Sequence, residues 1–280
     1  MKILLTGESS FVGRHLKEIL QKEGHEVYSL VRQSAKNDRQ ITWDFKGPLS
    51  EHMPSCEAVV HLAAFVYFDN SLQLEQYQVN TISTLYLTQY AKKQKAVFIF
   101  ASMAGLHGGA REINKNTPIM PLNHYAMSKY LAEEVIKQTT DRAYILRIGG
   151  IYGLDGPAHL GLNGAITEAF HRNIPPVLKG DGQPRRNYIY VGDVARWIVS
   201  LVNHTRKNDF CEILYFASQE TLTVKQYLMA IMDVFFKGQE LIMMPGNPSS
   251  DCVVEASQAP FPTISFMIYL ESLKNRRIPK

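Results

Sequence analysis

Lys2 to Thr6 is a short apolar run ended by Gly7, the pattern of a strand buried on both faces. From Phe11 the apolar positions change to helical spacing: Phe11, Val12, His15, Leu16, Ile19 and Leu20. The same alternation continues along the chain. Strand-like runs are predicted over His25–Arg32, Ile41–Phe45, Ala58–Ala64, Ala96–Ser102 and Arg142–Gly153, and helical periodicity over Gln73–Lys92 and from Tyr125 to Gln138. Strands alternating with helices predict an α/β domain with a parallel sheet covered on its faces. Beyond it the pattern predicts a Gly/Pro-interrupted helix from Asp155 to Pro176 and a helix capped by Asp193 running to Val202. A strand follows over Glu212–Ala217, then a helix from a capping box at Thr223–Gln226 to Phe236. The tail from Pro245 to Pro262 holds Pro, Ser and Gln, and a helix-like run follows from Ile264 to Leu273.

Composition narrows the class. The chain is 45% hydrophobic and 20% charged, as in a soluble globular protein. No apolar run approaches the roughly 20 residues that span a bilayer, and the N-terminus is already a strand without signal-peptide layout. The expected location is therefore the cytoplasm, with no membrane partner. Cys56, Cys211 and Cys252 are scattered and lack metal-ligand spacing, which suits reduced thiols and no metal site. A net charge of +4 is too small and dispersed to indicate nucleic acid.

The candidate chemistry lies at strand ends. Gly7-Glu-Ser9-Ser10-Phe11-Val12-Gly13 is a tight turn opening onto a helix N-terminus, whose free amides and positive dipole end form a site for a pyrophosphate. Gly7 supplies unusual backbone angles, and Gly13 lets the helix lie close on the strand. Arg32 follows the second strand, where a carboxylate binds ribose hydroxyls and an arginine suits a 2′-phosphate. This favours NADP, with NAD as the alternative if Arg32 is merely a solvated surface residue. Tyr125 and Lys129 stand one helical turn apart on one face. Free tyrosine has a pKa of about 10, and a neighbouring ammonium favours the phenolate. His61, inside a buried strand, reads as a core histidine.

These features resemble the short-chain dehydrogenase/reductase superfamily, in its extended, sugar-nucleotide-modifying branch (the NAD-dependent epimerase/dehydratase family). The turn resembles Gly-x-x-Gly-x-x-Gly with Ser10 in the middle glycine place, where it either crowds the pyrophosphate or donates to it. His61-Leu62-Ala63-Ala64 resembles His-x-Ala-Ala, Asn80-Thr-Ile-Ser-Thr84 resembles Asn-x-x-Gly-Thr, and Tyr125-Ala-Met-Ser-Lys129 is the Tyr-x-x-x-Lys pair. The segment from Gly180 to Ala195 resembles Gly-x-Gly…Arg-Asp-Phe-x-x-Val-x-Asp-Val-Ala. The resemblance implies a Rossmann-type doubly wound sheet with a small C-terminal substrate lobe. Residues 1–153 form the NAD(P)-binding domain, with 187–217 returning to it, and 154–186 and 218–280 form the lobe.

It also implies roles. Gly7, Ser9, Ser10, Phe11, Val12 and Gly13 hold the cofactor with Arg32, Asp44 and Phe45 near the adenosine. Leu62, Ala63, Ala64, Asn80, Tyr125 and Lys129 complete that set. Tyr125 is the general acid or base, and Lys129 tunes it and holds the nicotinamide ribose. The third catalytic member is a Ser or Thr; alignment puts Met103 there, and a shift of one residue would let Ser102 serve. Arg186 reaches the diphosphate of a nucleotide sugar, with Met103 facing the substrate. After Arg147 the family has Pro, or an aromatic residue and Asn; here stand Ile148, Gly149 and Gly150. A four-helix homodimer contact is implied for the helices 73–92 and 125–138. The expected function is an NAD(P)-dependent oxidoreductase or epimerase acting on a nucleotide-linked sugar. The alternatives are a non-catalytic NADP-binding redox sensor and a reductase for small carbonyl compounds.

Overall fold

The structure, a computed structural model, describes residues 1–67, 73–158, 160–204, 208–247 and 249–277. His159 and Pro248, within the expected interrupted helix and the tail, lie outside them. The chain divides into two compact units: Met1–Gly108, Pro118–Ile148 and Val194–Tyr215 form the first, and Gly109–Thr117, Gly149–Asp193 and Phe216–Lys280 the second. The division after Arg142–Ile148 falls ahead of the expected Gly153, and residues 109–117 and 187–193 join the second unit.

The first unit is built on a seven-stranded sheet of β1 (Lys2–Thr6), β2 (Glu26–Val31), β3 (Gln40–Thr42), β4 (Ala58–His61), β5 (Val97–Met103), β6 (Arg142–Ile148) and β7 (Phe210–Phe216). The spatial order is β7-β6-β5-β4-β1-β2-β3, and β1–β2, β1–β4, β2–β3, β4–β5 and β5–β6 all pair in parallel. The order reverses between β1 and β4, and at such a switch point ligands bind beyond the carboxyl ends of the strands. The apolar runs are buried as their pattern predicts: Leu4, Leu5, Val59, Val60, Phe98 and Ile145 have no solvent exposure. Each such side chain contributes about 1.5–3 kcal/mol on burial. This is a Rossmann-type α/β fold.

Helix α1 (Phe11–Lys22) follows β1 directly. After β4, α2 (Gln73–Tyr77) runs through one π-helical turn (Gln78–Ile82) into α3 (Ser83–Gln94). Helix α4 (His124–Thr139) starts at an Asn123 cap whose side chain accepts from the Ala126 amide at 2.8 Å. Strand β3 is shorter than expected because Trp43 and Phe45 turn into the core, the latter at φ 64°.

In the second unit the expected helix over 155–176 is broken. Helix α5 spans Gly161–Thr167 and passes into a π-helical turn at Glu168–Arg172, stopped by Asn173 at φ 57°. Helix α6 (Val191–Asn203), whose residues from Val194 onward belong to the first unit, already includes Asp193, so Asp193 is not its cap. Its carboxylate instead accepts from the Ile264 amide at 2.7 Å, because a buried acid ties down the returning tail. Helix α7 (Val224–Phe235) carries the predicted capping box of Thr223 and Gln226, and α8 spans Phe266–Arg277. The tail between them is held by strand pairing of Val253–Val254 with Glu112–Ile113. Asn187 adds side-chain bonds from Nδ2 to the Ser218 and Val254 carbonyls at 3.0 and 2.7 Å, and accepts from the Val254 amide at 3.0 Å. Among the described residues no helix is long and apolar enough to cross a membrane.

Candidate active site

The turn after β1 is shaped by backbone contact. Gly7 has φ +75°, and a Cβ there would lie 2.7 Å from the Ala63 nitrogen; one on Gly13 would lie 2.0 Å from the Gly7 carbonyl oxygen. Both contacts are impossible for a real side chain, so the turn, α1 and the exit of β4 are pressed together. Ser10 has φ −68° and caps α1, accepting from the Gly13 amide at 3.0 Å. Its hydroxyl hydrogen is therefore left to donate outward, and Phe11 and Val12 supply the helix-start amides. Ser9 is exposed, and its carbonyl accepts from Arg14 at 3.4 Å. A backbone cradle with a hydroxyl and a helix N-terminus fits a dinucleotide pyrophosphate. Glu8 was not singled out by sequence reasoning: its carboxylate bonds Lys17 and Gln40. Burial opposes its ionisation, but Lys17, Ser29 and Gln40 outweigh that and hold the carboxyl below its ordinary value.

Around the adenosine position, Arg32 is exposed just past β2. Asp44 is exposed and accepts from the Lys46 amide at 2.9 Å. The Phe45 ring is buried against Trp43, with centroids 4.4 Å apart, so its side chain faces the core. At the end of β4, His61 is fully buried, with Nδ1 2.7 Å from Thr6 Oγ1 and its ring beside Phe98 and Phe100. Burial, assisted by Lys129, keeps it neutral well below the usual histidine range. Leu62 is buried, while Ala63 and Ala64 stay partly open.

Asn80 sits in the π-helical turn, an irregularity that recurs at functional sites. Its amide clamps the Phe65 backbone from both sides, at 2.7 and 2.9 Å, and donates to Ser128 Oγ at 3.0 Å. Ser128 in turn donates to the Tyr125 carbonyl at 2.8 Å. Asn80 thus ties the β4 exit to the first turn of α4, where Tyr125 stands.

Lys129 is 2% exposed, and its Nζ lies 3.9 Å from the Phe100 ring centroid. Burial pulls its pKa down to about 7, against the opposing pull of Glu133. Burial pushes Tyr125 up to about 12. The expected lowering of Tyr125 by its lysine is absent here. The physical reason is that desolvation disfavours both charged forms, and a lysine already neutral at the pH where Tyr125 ionises exerts no field on it.

Ser102 is nearly buried and donates to Glu133 Oε1 at 2.5 Å. Glu133, without solvent exposure, also accepts from Arg147 Nε at 3.2 Å and Nη2 at 2.8 Å. Arg147 Nη1 donates to the Tyr215 hydroxyl at 2.7 Å. That hydroxyl lies 3.0 Å from His107 Nε2, and His107 Nδ1 lies 3.1 Å from the Pro118 carbonyl. A carbonyl only accepts, so His107 carries a proton on Nδ1 and receives the Tyr215 hydrogen at Nε2. Sequence reasoning missed Glu133, His107 and Tyr215. The available signal was a charged residue in the apolar strand around Arg147, which demands a buried partner. Met103 folds onto its own turn: a Cβ on Gly105 would lie 2.4 Å from its methyl carbon.

In the second unit, Arg185 and Arg186 take different partners, as strand alternation requires. Arg185 binds Asp251 through Nε at 3.0 Å and Nη2 at 2.9 Å. Arg186 Nη1 donates to the Ser250 carbonyl at 2.6 Å and the Arg185 carbonyl at 2.8 Å. In the same unit a cavity of about 500 Å³ is lined by Leu162, Pro175, Leu178, Lys179, Tyr188 and Tyr227, among others. Among the described residues no group of His, Cys, Asp and Glu is placed to hold a metal ion.

A Rossmann sheet, a glycine turn fitted to a pyrophosphate and a Tyr–Lys pair on one helix define the dinucleotide-binding short-chain dehydrogenase/reductase class. Residues 3–213 match the model of the NAD dependent epimerase/dehydratase family, and the chain belongs to that family. It is similar to a Methanocaldococcus jannaschii protein provisionally named a UDP-glucose 4-epimerase, with 28% identity over 266 residues, 87% of this chain and 86% of that one. It is also similar to GDP-6-deoxy-D-talose 4-dehydrogenase of Aggregatibacter actinomycetemcomitans, with 26% identity over 293 residues, 99% of this chain and 98% of that one. Among solved structures, UDP-glucuronic acid 4-epimerase from Bacillus cereus in complex with NAD shares the fold, with a TM-score of 0.80 at 21% identity over 99% of this chain and 96% of that one.

Proposed function

We propose that the protein is a nicotinamide-dependent oxidoreductase or epimerase acting on a hydroxyl or keto group of a nucleotide-linked sugar. The observation that carries this reading is Tyr125 one turn ahead of the buried Lys129 on α4, in the same unit as the glycine turn. A bound nicotinamide would take up and return hydride. Tyr125 would move the proton at the reacting oxygen, and Lys129 would bind the ribose beside it. Lys129 becomes more cationic when a phosphate or hydroxyl solvates it, which then favours the Tyr125 phenolate. The names of both curated relatives support a nucleotide-sugar substrate. Arg186 and Lys179 supply cations for its diphosphate, and the apolar cavity suits a base. Arg32 supports NADP as cofactor, whereas the NAD of the solved neighbour supports NAD. Exposed Ile82 and Leu131 support the homodimer contact on the helices around α3 and α4.

One observation favours a second reading, a cofactor-binding redox sensor. Met103 has no hydroxyl and Ser102 gives its own to Glu133, so the end of β5 offers a substrate oxygen no side-chain donor. Turnover of UDP-, GDP- and dTDP-sugars by the parent and Tyr125→Phe separates the two. General acid–base catalysis contributes about 10²–10⁴-fold, so the enzyme reading expects a loss of that order with cofactor binding retained. A parent that binds cofactor and turns over none of them supports the sensor.

A further inference from the structure

Phe100 and Ser102 stand two apart on β5, so their side chains share one face of the strand. Helix α4 meets both. Lys129 lies over the first, with Nζ 3.9 Å from the Phe100 ring centroid. Glu133 meets the second, accepting from Ser102 Oγ at 2.5 Å. In the β5–β6 register Arg147 is the partner of Ser102, so its guanidinium reaches the same carboxylate, through Nε at 3.2 Å and Nη2 at 2.8 Å. Positions two apart on a strand are separated by about 6.5–7 Å, and residues four apart on a helix are neighbours. Strand spacing and helix spacing therefore agree in setting the Lys129 ammonium beside the Glu133 carboxylate.

Few other charges compete there. Among the described buried residues of the first unit, the side chains that can be charged near neutral pH are His61, His107, Lys129, Glu133 and Arg147, and Glu133 is the only acid. Burial keeps His61 neutral, and His107 accepts from Tyr215 at Nε2. Tyr125 holds its proton to about pH 12. On the other elements packed against α4, Tyr77 of α2 pairs with His124 and Lys92 of α3 with Asp141. An ammonium buried without a counter-charge sheds its proton. Burial draws Lys129 that way, and Glu133 opposes it.

We propose that Glu133 is a positioning residue of the Tyr–Lys pair: fixed by Ser102 and Arg147, its carboxylate holds Lys129 in the charged form that binds a cofactor ribose and favours the Tyr125 phenolate. This rests on the role given to the pair above and adds a residue that acts through Lys129.

The test is carbon-13 NMR of the full chain labelled at lysine Cε, without cofactor or substrate, the Lys129 signal being assigned by its loss in Lys129→Met. The parent signal should titrate near pH 7, apart from the surface lysines. Glu133→Gln leaves the Arg147 charge unpaired in the interior, so the neutral double variant Glu133→Gln/Arg147→Gln is measured beside it. In both, the Lys129 midpoint should fall by about one unit or more, a tenfold loss of proton affinity. Glu133→Asp keeps the charge and should titrate near the parent. With the accepted sugar nucleotide, the high-pH limb of kcat/KM should move down with the midpoint, and the rate should approach the parent's below it. An unmoved midpoint in whichever of the two Gln variants folds, with turnover lowered equally at every pH, makes Glu133 structural only and overturns the inference. A fallen midpoint in a chain that turns over no sugar nucleotide leaves the inference standing and removes the enzyme reading instead.

Discussion

Ser102 and Glu133 are joined by a 2.5 Å hydrogen bond in the interior of the first unit, and Arg147 completes the carboxylate's coordination. The serine nearest the expected catalytic position thus anchors the end of β5 to α4. The carboxylate it binds is one turn beyond Lys129, and is the group that pulls that lysine toward its charged form. In Ser102→Ala the buried carboxylate loses one donor, at a cost of about 1–3 kcal/mol. Denaturant unfolding should show that loss, while turnover stays within a few-fold of the parent. Arg147→Met strips the buried carboxylate of its counter-ion and should cost about 3–5 kcal/mol.

Lys129 makes stability depend on pH. Its folded pKa near 7 lies below the ordinary value of 10.5, so between these limits the unfolded chain binds more protons. Stability therefore rises with pH across that window, and the penalty is fully present below about pH 7. Tyr125, raised to about 12, opposes this only above about pH 10. Lys129→Met removes the penalty. Near pH 6 the variant should melt above the parent, and the difference should shrink as pH approaches 10. Glu133 and His61 face the same site and remain in both proteins, so the comparison isolates the lysine. Activity should be lost at every pH.

With Met103 at its last position and the Ser102 hydroxyl given to Glu133, the end of β5 has no side-chain donor left for a substrate oxygen. Restoring one by Met103→Thr should raise turnover, since one donor to a developing oxyanion is worth about 10²–10³-fold. Steady-state rates on the accepted sugar nucleotide check this. No gain would mean that another group already supplies the donor.

The cofactor choice turns on Arg32. A charge-assisted contact with the 2′-phosphate is worth about 1.5–3 kcal/mol, so NADPH should bind about tenfold or more tighter than NADH. Arg32→Glu should reverse the order. Fluorescence titration of both cofactors decides; equal affinities in the parent would show that Arg32 stays in solvent.

Asn187 holds the tail through two donated and one accepted bond. Aspartate, the residue of the resembling motif, has no amide hydrogens. Asn187→Asp would leave the Ser218 and Val254 carbonyls without these donors and add a buried charge. Hydrogen exchange at Val254 should accelerate, and proteolysis near residues 253–255 should appear before global unfolding.

The alternation of strands and helices, the turn at Gly7 and Gly13, the Tyr125–Lys129 spacing and the capping box at Thr223 were all legible in the chain. Each is a local property: apolar period, backbone angle or neighbours within one helical turn. What the tertiary structure decided depends on residues far apart in sequence. Ser102 meets its carboxylate 31 residues on, and Asn187 meets the tail 67 residues on. Gly150 is explained by the Tyr188 ring, which no local pattern connects to it. Asp193 looked like a cap because its spacing suited one, yet the tail took its carboxylate. The ionisation of the Tyr–Lys pair likewise departed from expectation, because burial raises Tyr125 where its lysine alone would lower it. Residue types set which charge each group can carry, but desolvation in the folded interior sets whether it does.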